Sequence, residues 1–295
     1  MNTNITREPR VKKLIFISLV FLSILGVVGG EYFYVRNVHQ QHPPLAITQP
    51  KKIPTTQSTV TPDAIMQSTI MPDWHLVFDD EFSGASLDTT KWNIEDMSSD
   101  GYHNCCLNYG IQYYTPEALS IQQGSLQITT QAQSMNGYSY TSGAITTEGK
   151  FSFLYGQVDI RAKLPQTQGT WPTFWLLPIH TVGTAPFEID MAEMIGRIPN
   201  TVYMVNHAKG QTDYLAFKGS DFSENYHLFS LVWTSQTITW YIDGIDCFES
   251  QLDVSNQPMY LIINSALGGG WAGPPDTSTV LPQYMDIDFV RIYQP

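Results

Sequence analysis

Charge is scarce in this 295-residue chain: only 14% of its residues are Asp, Glu, Lys or Arg. Basic residues are rarer still beyond the N-terminus. Residues 1–72 carry seven Lys and Arg against three Asp and Glu, a formal +4, which leaves eight against 24, a formal −16, for residues 73–295. A domain so acidic repels nucleic acid and sulfated or carboxylated polymers at long range, which favours a neutral partner. With so few charges, most of the surface must be uncharged and polar, which suits a partner rich in hydroxyls. Cysteine is nearly absent as well, with only Cys105, Cys106 and Cys247. Their spacing gives no zinc pattern. Adjacent cysteines join only in a strained ring, so a bridge in an exported domain would pair Cys247 with one of the two; free buried thiols fit equally well. From residue 73 onward the chain also lacks a convincing amphipathic helix, and no internal repeat recurs at a fixed period.

What the N-terminus does have is a short basic tail, residues 1–13, followed by residues 14–30 without a charge. As a helix that run is roughly 25 Å long, near the lower limit for spanning a bilayer. A signal anchor and a cleaved signal peptide both fit. The absence of a clean A-x-A site, and the interfacial belt of Tyr32, Phe33, Tyr34 and Arg36, favour the anchor with its basic end in the cytoplasm. Residues 31–72 are Pro-, Thr- and Gln-rich with little periodic hydrophobicity, and read as an extended linker. The expected product is an extracytoplasmic, monomeric domain over residues 73–295, membrane-anchored, or secreted if the leader is cleaved.

Within residues 73–295, short alternating runs are separated by turn signals. Leu126, Ile128 and Thr130 alternate, as do Val158, Ile160, Ala162 and Leu164 after Phe151 and Phe153. His227, Phe229, Leu231 and Trp233 form another such run. Ile238, Trp240 and Ile242 lead into Asp243-Gly244, a hairpin signal. The last run is Met285, Ile287 and Phe289. Many strands without helices over this length argue for an all-β sandwich of two antiparallel sheets, of the jelly-roll kind.

One stretch carries chemistry. Phe187-Glu188-Ile189-Asp190-Met191-Ala192-Glu193-Met194 places three carboxylates within six residues. In a regular strand Glu188 and Asp190 share a face and Glu193 points away. One extra residue, a β-bulge at Met191-Ala192, brings Glu193 back to their face. Crowded like charges raise the pKa of at least one group, which a stable core does not need but an acid–nucleophile pair does. A solvated, charged edge strand is the plain alternative, against which the interleaved Ile189 and Met191 demand burial.

The segment SGAITTEGKFSFLYGQVDIRAKLPQTQGTWPTFWLLP, followed by FEIDMAEMIG, NSALGGGWAGPP and MDIDFVRIY, resembles glycoside hydrolase family 16 over roughly residues 74–295. The resemblance implies a β-jelly-roll with a concave cleft that hydrolyses internal β-glycosidic bonds with retention. It implies Glu188 as nucleophile, Glu193 as general acid/base and Asp190 as the helper between them, with no cofactor required for catalysis. The negative charges of Glu188 and Asp190 are expected to keep Glu193 protonated. The bulged six-residue spacing is similar to the β-1,3-glucanase branch, so the expected substrate is a neutral β-1,3 or mixed β-1,3/1,4 glucan polysaccharide. Transglycosylation, a galactan (agarase-like) substrate and a non-catalytic glucan-binding module are the alternatives. Trp171 and Trp175, two positions either side of Thr173, and Trp271 in its Gly-rich loop are candidate sugar platforms, with core packing as the plainer role. His207 resembles the family's cleft histidine. Many members hold a structural calcium, for which Asp288, beside the Glu81 backbone, is the candidate here. Tyr109-Gly110-Ile111-Gln112, Ala144 and Phe187 depart from the family pattern at positions that help form sugar subsites.

Overall fold

A computed structural model describes residues 73–98, 110–180 and 187–295 of the chain. The N-terminal tail, the apolar run, the linker, Cys105 and Cys106 lie outside the described residues. Among the described residues no helix is long and apolar enough to cross a membrane.

Two large antiparallel sheets stack as a jelly-roll sandwich. The seven-stranded sheet runs, in spatial order, Gln211–Lys218, Thr201–Ala208, Glu188–Met194, Thr170–Pro178, Met259–Leu267, Ala144–Thr146 and Asn93–Ile94. The other sheet is centred on Gly156–Lys163, paired with His227–Trp233 on one side and with the long Gln283–Gln294 strand on the other. The alternating runs become strands because one face of each meets the opposing sheet. Phe229, Leu231 and Trp233 from one sheet and Phe174, Leu176 and Ile189 from the other form a single interior. Asp243 and Gly244 make the two-residue hairpin loop expected of them, both with positive φ, 51° and 75°.

The last strand departs from its sequence pattern. Register shifts between Ile287 and Phe289, so Met285 and Ile287 face the core but Phe289 does not, and Val290 and Ile292 take over inward. The displaced Phe289 ring instead lies 3.9 Å beneath the Arg291 guanidinium, a cation–π contact at the surface.

Candidate active site

The strand Glu188–Met194 is irregular where the sequence spacing requires it. Against Thr170–Pro178, Asp190 opposes Trp175 and Ala192 opposes Phe174, so Met191 is supernumerary. Against Thr201–Ala208, Asp190 opposes Val205 and Glu193 opposes Tyr203. Ile189, Met191, Ala192 and Met194 all enter the interior between the sheets. Glu188, Asp190 and Glu193 are left together on the other face of the sheet, each almost completely buried. Support for this bend comes from the opposite sheet. The Trp240 indole N–H donates to the Asp190 backbone carbonyl at 2.9 Å, at the start of the irregularity. A bulge disturbs the ladder locally, and a buried carbonyl there needs a partner.

His207 stands directly across from Glu188 in the neighbouring strand. Its Nε2 lies 3.4 Å from Asp190 Oδ2, and its Nδ1 is 2.9 Å from the Thr212 hydroxyl. One donor atom each from Glu188, Asp190 and His207 fall within 4.8 Å of one another. Burial, with the Glu193 charge, pushes Glu188 up to about 7, while His207 and the Asp190 hydrogen bond pull it back towards the carboxylate. At Glu188 desolvation is the largest influence and outweighs the groups that favour its charge.

Trp171 and Trp175 both lie on the carboxylate face, as their spacing requires, but neither is an open platform: they are 5% and 4% exposed. The Trp171 indole N–H donates to Glu193 Oε1 at 3.0 Å. Trp175 donates to Asn264 Oδ1 at 2.8 Å, and Asn264 in turn donates to the Tyr114 hydroxyl at 3.2 Å. Trp271 sits in the short helical turn Gly269–Ala272. Gly268, Gly269 and Gly273 flank it at φ 82°, 80° and 78°, a conformation that explains the glycine run. Arg197 and Gln168 fix the turn by donating to the Ala272 carbonyl at 2.6 and 3.3 Å. The half-buried Trp271 ring thereby packs edge-on against Trp171, 5.2 Å away, and Tyr203, 4.8 Å away.

Tyr203, Asn264 and Tyr114 were not singled out from sequence. A signal existed for two of them. Tyr203, Val205 and His207 alternate in TVYMVNH, and Asn264 shares a strand face with Tyr260 and Ile262. Nothing local marks Tyr114. Of the departures, Ala144 packs beside Tyr114, Trp175 and Tyr260, while Phe187 packs against the main interior.

Asp288 is elsewhere, on the opposite sheet. Its carboxylate accepts from Arg161 at 2.5 Å, and Glu81 is held by both Arg291 Nε and Nη2. Carboxylates turned to guanidinium groups are a poor donor set for calcium, which takes six to eight oxygens, so calcium there would first have to break the Arg161–Asp288 pair. Cys247 is a free, partly buried thiol, which burial pushes up to about 12.

The family model for Glycosyl hydrolases family 16 matches residues 109–290. A second, for Beta-glucan synthesis-associated protein SKN1/KRE6/Sbg1, matches residues 11–183. The chain is 36% identical to the Glucan endo-1,3-beta-glucosidase A1 of Niallia circulans, over 75% of this chain and 38% of that protein. It is 32% identical to a Beta-glucanase of Rhodothermus marinus, over 76% and 86%. Among solved structures, the laminarinase catalytic domain of Thermotoga maritima superposes with a TM-score of 0.69 at 35% identity, over 76% of this chain and 99% of that one. The chain thus spans well under half of the Niallia protein and nearly all of the Thermotoga domain.

Proposed function

We propose, because this chain belongs to glycosyl hydrolases family 16, that it is an endo-acting, retaining β-glucanase that cuts internal β-1,3 or mixed β-1,3/1,4 glucosidic bonds. The observation that carries this reading is the bulge that turns Glu193 onto the face of Glu188 and Asp190. Retention needs two carboxyl groups about 5–5.5 Å apart, one to attack the anomeric carbon and one to protonate the leaving oxygen. Glu188 attacks; its charge is favoured by His207 and by the Asp190 hydrogen bond. Glu193 delivers its proton to the departing sugar oxygen, and the Trp171 N–H steadies the carboxylate that results. Once Glu188 is esterified its charge is gone, and Glu193 takes a proton from water to release the sugar. Glucanase names among the relatives support the substrate class.

The test is a Glu188→Ala variant assayed on laminarin-type and mixed-linkage glucans. Hydrolysis should vanish while the fold remains, and azide should restore turnover with an α-configured glycosyl azide. Undiminished turnover would remove Glu188 from its role, and a β-configured azide would indicate inversion. A second reading, transglycosylation, draws on the match of residues 11–183 to the glucan-synthesis family. Products longer than the starting oligosaccharide would favour it.

For the whole protein we place the domain outside the cytoplasm as a monomer, tethered by residues 14–30 through the linker. The N-terminal residue of the mature protein and light scattering of the released domain test these two points.

A further inference from the structure

Gln168 and Arg197, which hold the Ala272 carbonyl, also line a cavity of about 680 Å³ that none of the three carboxylates of the row reaches. Its volume lies within the roughly 300–1,000 Å³ of ligand pockets. The walls are prebuilt by cross-links between two loops. Gln166 N–H donates to Gln283 Oε1 at 3.0 Å, and Gln283 Nε2 donates to the Val280 carbonyl at 2.9 Å. Val280 N–H donates to Thr167 Oγ1 at 2.8 Å, and Thr279 Oγ1 to the Gln168 carbonyl at 2.9 Å.

The chemistry of the lining is mixed in a particular way. Lys163 is paired with Asp286 at 3.1 Å, and the exposed Arg197 donates one N–H to the Ala272 carbonyl, which orients its guanidinium without neutralising it. Two apolar side chains stand open among polar ones in this lining: Val280 is 66% and Tyr284 43% exposed, two of the eight large hydrophobic side chains exposed among the described residues. Amides and hydroxyls surround them. A flat aromatic and a branched aliphatic side chain rimmed by amides, hydroxyls and the Arg197 guanidinium complement a pyranose, with its apolar C–H face and ring of hydroxyls. An anion would meet Arg197 but also the Asp286 carboxylate in the same lining, and a lipid surface would need a broader apolar patch.

We propose that this cavity is a second saccharide site, binding a neutral glycan segment outside the carboxylate row. The inference rests on the glucanase reading only for the identity of the sugar. A chain long enough to engage both sites is held by avidity, whereas a short oligosaccharide gains nothing.

The experiment uses the Glu188→Ala background, so that ligands survive, with Tyr284→Ala and Val280→Asp added singly. Both positions are exposed, and melting curves verify folding. Native gels containing laminarin-type glucan, mixed-linkage glucan, galactan or xylan read polymer affinity, and calorimetry with a tetrasaccharide reads the cleft. Each variant should weaken retention by at least one polymer several-fold and leave tetrasaccharide binding unchanged. Retention by every polymer that neither variant alters, or equal losses for polymer and tetrasaccharide, would overturn the second site. If galactan rather than glucan shows the Tyr284-dependent retention, the site stands and the glucan reading falls.

Discussion

Replacing Glu188 by Gln should stabilise the protein, and only at higher pH. Burial moves this carboxyl from an ordinary value of 4.5 to about 7. A group whose folded pKa is raised binds its proton more tightly in the native state, so folding is favoured at low pH and stability falls as pH rises from 4.5 through 7. Shifting one carboxyl over that interval corresponds to about 3 kcal/mol of native-state penalty once it is fully ionised. Gln is the shape of the protonated acid, so it removes the penalty without a cavity. Urea titrations at pH 4, 5.5 and 8 should show the variant equal to the parent at the first, ahead at the second, and ahead by about 3 kcal/mol at the third. Its hydrolytic activity should be lost throughout, a local trade of stability for function. A difference that is constant across pH, or that grows on acidification, would refute the claim that enclosure raises the Glu188 pKa.

Trp171→Phe removes the donor to Glu193, costing roughly 1–3 kcal/mol where charge develops on that carboxylate. The turnover of glucan should fall about 10- to 100-fold on that scale, while aryl glycosides with activated phenol leaving groups, which need no proton, are spared. The alkaline limb of the pH profile should also move upward, because the ionised form has lost its donor; equal losses on both substrates would leave Trp171 a packing residue only. Trp240→Phe strips the Asp190 carbonyl of its indole donor across the sandwich. We expect at least about 1 kcal/mol of lost stability and a fall in kcat larger than any change in KM. Full activity in that variant would show that the bulge holds without it.

The alternation of Phe229, Leu231 and Trp233, or of Ile238, Trp240 and Ile242, was readable because side-chain direction in a strand has a local period of two. The spacing of Glu188, Asp190 and Glu193 was readable for the same reason: three acids can share a face only if one residue is extra, and the interleaved apolar residues demand the other face. Where the extra residue would be stabilised was not readable. Trp240 reaches Asp190 from 50 positions away in sequence, and no pattern inside either strand records that pairing. Phe289 leaves the interior because of a register shift against a neighbouring strand, and Trp171 is spoken for by Glu193 rather than open to solvent. Asp288 faces Arg161 for the same kind of reason. The sequence by itself therefore determined the alternating faces of the regular strands and which three acids could meet. Only the tertiary structure decided their environment, because enclosure, strand register and hydrogen-bond partners are set by segments distant along the chain.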